Sequence, residues 1–317
     1  MKKILVIGGA GFIGANLVRK LVSENKFNVS VIEPQNANPW RLKDVLDKVK
    51  IYNSDITKKD ELEKTLDGIQ PNIIFHLASY GVYPAIQNDL DRMIETNIKG
   101  TINLANLSMK YKPELFVNTG TCSEYQEKDG KLGEGDSVGP TNFYGITKLA
   151  ATMLLQKIAT TKNLSVVNLR LFTPFGYFED GQRLIPYIIL QTLKGEKVEL
   201  TSPNFVRDFI FIEDLVDAFI KVLESKNNFS GEIFNIGSGK QHSIQEVVAA
   251  ISKAMGKDLD VSYGNRQSYY KEPKSFVANN NKAAKEFNWK TENSFESAIE
   301  KNVIWFKENK NLYLTKD

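Results

Sequence analysis

The sequence predicts an α/β fold, a doubly wound parallel sheet followed by a smaller mixed α/β C-terminal domain, and three observations predict it. Short β-rich runs alternate with amphipathic stretches of helix length. Some runs are continuously apolar, as Ile73, Ile74 and Phe75 are, which suits strands covered on both faces. A glycine cluster falls between the first such run and the first such stretch.

Taken in order, Ile4–Ile7, Val29–Ile32, Ile73–Leu77, Leu115–Asn118 and Val166–Leu171 are the expected strands, with a further one ending before Asp55. Their alternation with helical segments implies a parallel sheet with helical crossovers. After about Thr173 the pattern changes to loops rich in Pro, Gly and aromatics, with helices expected near Leu184–Lys194 and Ile244–Met255. Residues 1–173 therefore read as the first domain and 174–317 mainly as the second. Return segments are expected at about 207–238, where Phe209–Leu223 and Ile233–Ile236 are candidates to rejoin the sheet.

With 317 residues, 42% of them hydrophobic, the chain can bury a substantial core as one large domain or two that share an interface. A charged fraction of 25% and a net charge of +3 are too balanced to signal nucleic acid or an anionic membrane as partner. The single cysteine, Cys122, excludes an internal disulfide framework and a thiolate metal site, so no metal is expected and a reducing, cytoplasmic setting is. Lys2, Lys3 and the apolar stretch to Val18 imitate a secretory signal, but Gly8, Gly9, Gly11 and Gly14 lie inside it and Arg19 and Lys20 interrupt it.

GGAGFIG follows the first strand, with Gly8, Gly11 and Gly14 at three-residue spacing, and opens a helix. One glycine permits the tight turn, one lets a pyrophosphate approach the backbone, and one lets the helix pack on the sheet, as in a Rossmann dinucleotide site. Glu33, at the end of the second strand, can accept hydrogen bonds from both adenosine ribose hydroxyls and would repel a 2′-phosphate. NAD(H) is therefore favoured, while Arg41, close in sequence, keeps NADP(H) open. Asp55 and Ile56 are candidates to border the adenine.

Tyr144 and Lys148 stand four residues apart in NFYGITKLAATMLLQ, on one face of an expected helix. An ammonium beside a phenol favours phenolate, so the tyrosine can exchange a proton with a sugar hydroxyl or carbonyl. NTGTCSEY carries Thr119, Thr121 and Ser123 to the carboxyl edge of the sheet, where such folds bind ligands.

Further runs occur in order: FHLAS (Phe75–Ser79), ETNIKGT (Glu95–Thr101), RLFTPFG (Arg170–Gly176), RDFIFIEDLVDA (Arg207–Ala218) and FNIGSG (Phe234–Gly239). With those above, they make nearly the whole chain resemble the extended short-chain dehydrogenase/reductase family, in its NAD-dependent epimerase/dehydratase branch acting on nucleotide sugars. The resemblance implies Tyr144 as general acid/base, Lys148 as its activator and ribose anchor, and Thr121 as their hydroxyl partner. It puts Gly8, Gly11, Phe12, Ile13, Gly14, Thr119 and Phe172 at the cofactor, with Leu77, Ala78 and Ser79 along the nicotinamide and Asn97 bracing the site. Arg207 would grip the substrate pyrophosphate through its planar fork of donors, and Tyr83, Ser123, Thr173, Arg183 and Arg266 would complete the substrate side. Tyr177 and Phe205 are further candidates for its wall.

Departures from the family narrow the reaction. Dehydratases of this kind resemble one another in following the catalytic threonine with an acid pair, or with a glutamate two residues on. Here Cys122 and Ser123 hold those places, and Glu124 would face the other way. Thr173 replaces an asparagine that many 4-epimerases carry, which tilts the expectation toward reduction of a nucleotide-linked 4-keto-6-deoxyhexose. A 4-epimerase with tightly held NAD is the alternative, and a non-catalytic dinucleotide-binding protein the remote one. The resemblance also implies a homodimer through the helices around Asp89–Lys110 and Ala150–Ala159, although Leu104 and Leu154 there read as ordinary core.

Overall fold

The computed structural model describes residues 1–83, 86–225, 227, 229–265 and 275–314; Arg266 lies outside them. Seven strands form a parallel sheet: β1 (Lys2–Ile7), β2 (Phe27–Glu33), β3 (Lys50–Asn53), β4 (Ile73–His76), β5 (Leu115–Thr121), β6 (Val166–Leu171) and β7 (Glu232–Ile236). Their spatial order is β7-β6-β5-β4-β1-β2-β3. The order reverses direction between β1 and β4, and the crevice opened there at the carboxyl ends is where folds of this type take their ligands.

β1 shows why its run is apolar throughout. Ile4 and Val6 belong to one core cluster, with Val18 and Leu21 of the helix Phe12–Ser23, whereas Leu5 and Ile7 belong to the opposite one, with Leu62, Leu66 and Ile74. All four are buried. Burying a side chain of this size stabilises by about 1.5–3 kcal/mol. The stretch that imitates a secretory signal is thus this strand, the glycine turn and the first helix.

β5 runs three residues further than expected, because Thr119, Gly120 and Thr121 stay paired with Leu169, Arg170 and Leu171 of β6. Of the two return segments, Glu232–Ile236 joins the sheet as its outer strand beside β6. Phe209–Phe211 instead pairs in parallel with Thr173–Phe175, outside the seven-stranded sheet. The helices Leu184–Lys194 and Ile244–Met255 form where the apolar periodicity places them and pack on each other and on the helix Phe295–Glu308.

One expectation about the core is corrected. Leu104 is fully buried, but Leu154 is 40% exposed, and it stands with Phe143, Ile146 and Met153 on the uncovered side of the helix Phe143–Lys162. No helix among the described residues is long and apolar enough to cross a membrane.

Candidate active site

A cleft of about 1000 Å³ opens along the carboxyl ends of the strands. At one end lies the glycine turn. Gly8 has φ of +79°, and a Cβ there would come within 2.7 Å of the Ala78 backbone nitrogen; a Cβ on Gly14 would lie 2.1 Å from the Gly8 carbonyl oxygen. Only hydrogen fits at either place, so helix and strand meet closely and leave a cradle beside the backbone. The helix Phe12–Ser23 has no side-chain cap and no acidic residue in its first turn, so its first N–H groups and positive dipole end remain available to an anion. This is an arrangement that a dinucleotide pyrophosphate fits.

Glu33 is buried at the end of β2, and its Oε1 accepts the Ala10 N–H at 2.5 Å, tying the acidic strand end to the turn. Burial pushes its carboxyl up to about 7, against the pull of the Ala10 hydrogen bond and the Arg41 charge. Arg41 itself is not on the cleft wall: its Nε donates to the Phe178 carbonyl at 2.7 Å and its guanidinium stacks on Trp40. Asp55 and Ile56 line the cleft, but Asp55 Oδ1 already accepts the Thr57 N–H and hydroxyl.

Leu77, Ala78, Ser79, Thr119, Thr121, Ser123, Tyr144 and Phe172 come together on the walls further along. Tyr144 begins the helix Phe143–Lys162, which Asn142 caps by accepting the Gly145 N–H at 2.8 Å. A Cβ on Gly145 would lie 2.4 Å from the Ser123 carbonyl oxygen, so this glycine lets the helix start against the Thr121–Ser123 turn. A Cβ on Gly81 would lie 3.3 Å from the Tyr144 ring, so this glycine lets the loop after β4 pass close to it. Thr121 Oγ1 accepts the Ser123 N–H at 3.2 Å, which uses a lone pair and not the hydroxyl hydrogen.

Asn97 and Lys148 stand buried behind the wall and not on it. Asn97 accepts the Tyr80 N–H, donates to the Tyr80 carbonyl and donates to the Thr147 hydroxyl, at 2.8, 2.8 and 3.0 Å. It braces the strand-end loop against the helix Phe143–Lys162. The π-helical turn Glu95–Gly100 that presents it is a geometry that often marks functional sites.

The electrostatics correct one expectation. Burial holds the Tyr144 hydroxyl above the usual phenol range, with the Ser79 side chain pulling it back. Burial also lowers Lys148 to about 8, opposed by Glu124. Burial is the largest influence on this phenol and favours its protonated form. Burial likewise pushes the Cys122 thiol up to about 12, leaving it neutral.

Glu124 faces away from the cleft. Its Oε1 accepts the Thr121 N–H at 2.9 Å and its Oε2 pairs with Arg170 Nε at 2.8 Å, both side chains being almost fully buried. Tyr83, Thr173, Arg183 and Arg207 also line the cleft. Tyr177 and Phe205 do not, and here the expectation is corrected. Tyr177 sits edge-on to Phe211 and donates to Glu213, and Phe205 packs against the main core. Phe276 and Glu179 are wall residues that sequence reasoning missed, because no local pattern says where their segments dock.

A dinucleotide cradle, a Tyr–Lys pair on one helix and a threonine beside them define a nicotinamide-dependent enzyme of the extended short-chain dehydrogenase/reductase class. More narrowly, the chain belongs to the NAD dependent epimerase/dehydratase family, whose model matches residues 4–237. It is 29% identical to a bifunctional UDP-glucose 4-epimerase and UDP-xylose 4-epimerase of Pisum sativum, over 97% of this chain and 96% of that one. Among solved structures it is similar to UDP-glucuronic acid 4-epimerase from Bacillus cereus in complex with UDP-glucuronic acid and NAD, at 27% identity and a TM-score of 0.88, covering 97% and 99% of the two chains. It is also similar to dTDP-glucose 4,6-dehydratase from Bacillus anthracis in complex with NAD, at 26% identity and a TM-score of 0.88, covering 99% and 98%.

Proposed function

We propose that this enzyme is a nucleotide-sugar 4-epimerase that retains NAD. The observation that carries the reading is the chemistry beyond Thr121: Cys122 and Ser123 offer no acid, and Glu124 is locked on Arg170. Loss of water from a sugar needs a second acid to protonate the departing hydroxyl, so dehydration is disfavoured. The full-length relative named as a 4-epimerase weighs the remaining choice toward epimerisation, where the sequence tilted toward a reductase.

NAD, when bound, supplies the acceptor and donor of hydride at the sugar 4-position. Gly8, Gly11, Phe12, Ile13 and Gly14 would hold its pyrophosphate, and Glu33 its adenosine ribose. Tyr144 acts as the base only as phenolate, so its own proton first passes to solvent; the phenolate Oη then takes the proton of the sugar 4-hydroxyl as the 4-keto sugar forms and returns it once the sugar has turned over. The Thr121 hydroxyl donates to the same oxygen, and Lys148 supports the phenol from behind. Arg207 and Arg183 would hold the anionic part of the substrate. The apolar side of the helix Phe143–Lys162 would be covered by a second copy, giving a homodimer.

Purified protein should carry NAD and interconvert 4-epimeric UDP-sugars with no net change in absorbance at the NADH band. A reductase would instead oxidise NADH or NADPH in step with 4-keto sugar consumed, and that outcome would overturn the epimerase reading.

A further inference from the structure

The substrate wall of the cleft is assembled from segments far apart in the chain, which contribute Thr173, Arg207 and Phe276. One buried carboxylate joins them. Asp208, 1% exposed, follows Arg207 directly. Its Oδ1 accepts the Ser238 N–H and the Ser238 hydroxyl, each at 2.6 Å. Its Oδ2 accepts the Gly239 N–H at 3.0 Å and the Ala278 N–H at 2.9 Å, and its backbone carbonyl accepts the Thr173 N–H at 2.9 Å.

Ser238 and Gly239 form the loop after β7, and Ala278 lies two residues beyond Phe276. Packing here is tight. A Cβ on Gly237 would come within 2.7 Å of the Ala278 Cβ, 2.8 Å of Asp208 Oδ2 and 3.0 Å of the Phe172 ring.

A carboxylate has about four lone-pair sites, and four donors stand within hydrogen-bond distance of Asp208, the Ser238 hydroxyl being shared with the Lys240 carbonyl. No acceptor remains on Asp208 for a ligand, so it cannot itself bind one. A buried charge so fully paired fixes its donors relative to one another. The adjacent Arg207 charge is felt at Cys122, next to Thr121.

We propose that Asp208 is a positioning residue for the nucleotide diphosphate of the substrate: it locks the β7 loop and residues 275–278 to Thr173 and to the strand Val206–Arg207, and so aims Arg207 into the cleft. The inference rests on the nucleotide-sugar reading given above. It separates the two ligands, because neither the glycine turn nor Glu33 takes part in the Asp208 hydrogen bonds.

The test is calorimetric titration of the full chain with NAD and, separately, with UDP, dTDP, CDP and GDP as probes. The proteins are the wild type, Asp208→Asn, Ser238→Ala, Arg207→Met and the Arg207→Met/Ser238→Ala double variant. Asp208→Asn turns an amide NH₂ against an N–H and should weaken the preferred nucleoside diphosphate about tenfold or more; Ser238→Ala removes one donor and should weaken it about threefold. NAD affinity should stay within about twofold throughout, and Ser238→Ala should add nothing in the Arg207→Met background.

Unchanged nucleoside diphosphate binding in the folded variants would overturn the role of Asp208. So would a parallel loss of NAD binding, or a full Ser238→Ala effect without Arg207. Should Asp208→Asn fail to fold, Ser238→Ala and the double variant carry the same decision. A wild type that binds NAD but none of the four diphosphates would defeat the nucleotide-sugar reading itself, and this inference with it.

Discussion

Glu33 makes NAD binding depend on pH in a direction the structure dictates. Its carboxyl sits at about 7 because it is buried, and one oxygen is already committed to Ala10. Only the ionised form accepts hydrogen bonds from two ribose hydroxyls without spending an oxygen on its own proton. With that pKa, about a tenth of the side chains are ionised at pH 6 and about nine tenths at pH 8. Apparent NAD affinity should therefore rise up to about tenfold between those values, or about 1.4 kcal/mol, and level off above pH 8. NADP should show the opposite slope, because the carboxylate repels its 2′-phosphate. Titrations followed by calorimetry at pH 6, 7 and 8 measure both. Glu33→Gln should flatten the NAD profile at its weak end. Folding carries the opposite sign: the folded pKa exceeds the ordinary 4.5, so stability contributed by the protonated form is full below about pH 4.5 and is lost as pH rises through about 7. Glu33→Gln should consequently melt higher than the wild type above pH 7. An NAD affinity independent of pH in the wild type, with Glu33→Gln binding equally well, would refute the reasoning.

Tyr144→Phe should fold and bind NAD normally yet lose turnover by about 10²–10⁴-fold; near-normal turnover would place the proton-transfer group elsewhere. Gly14→Ala should abolish NAD binding or unfold the chain, since its Cβ would sit 2.1 Å from the Gly8 carbonyl oxygen; a wild-type NAD titration would contradict the cradle. Glu124→Ala leaves Arg170 charged and buried without its partner, and denaturant melts should show a loss of about 3–5 kcal/mol. Phe143 and Met153 are 60% and 58% exposed; the double substitution Phe143→Glu/Met153→Glu should shift the light-scattering mass from dimer to monomer, and a wild type that is already monomeric would end the proposal of a homodimer.

Much of this molecule is legible in the sequence because the signals are local. The run Ile4–Ile7 is apolar at every position because both faces of its strand are covered, and the helices Leu184–Lys194 and Ile244–Met255 follow from apolar periodicity that neighbouring residues alone specify. Glycine spacing likewise encodes the turn, and a four-residue step puts Tyr144 and Lys148 on one helix face without reference to the rest of the chain. What the tertiary structure decided is which distant segments meet and how much water their meeting excludes. It gave Glu124 to Arg170, turned Arg41 onto Trp40, left Leu154 exposed, and moved Tyr177 away from the cleft while bringing Phe276 in. It also set the electrostatics at Tyr144: the burial that holds the phenol above its usual range comes from walls contributed by several segments, and no single stretch of sequence carries that information.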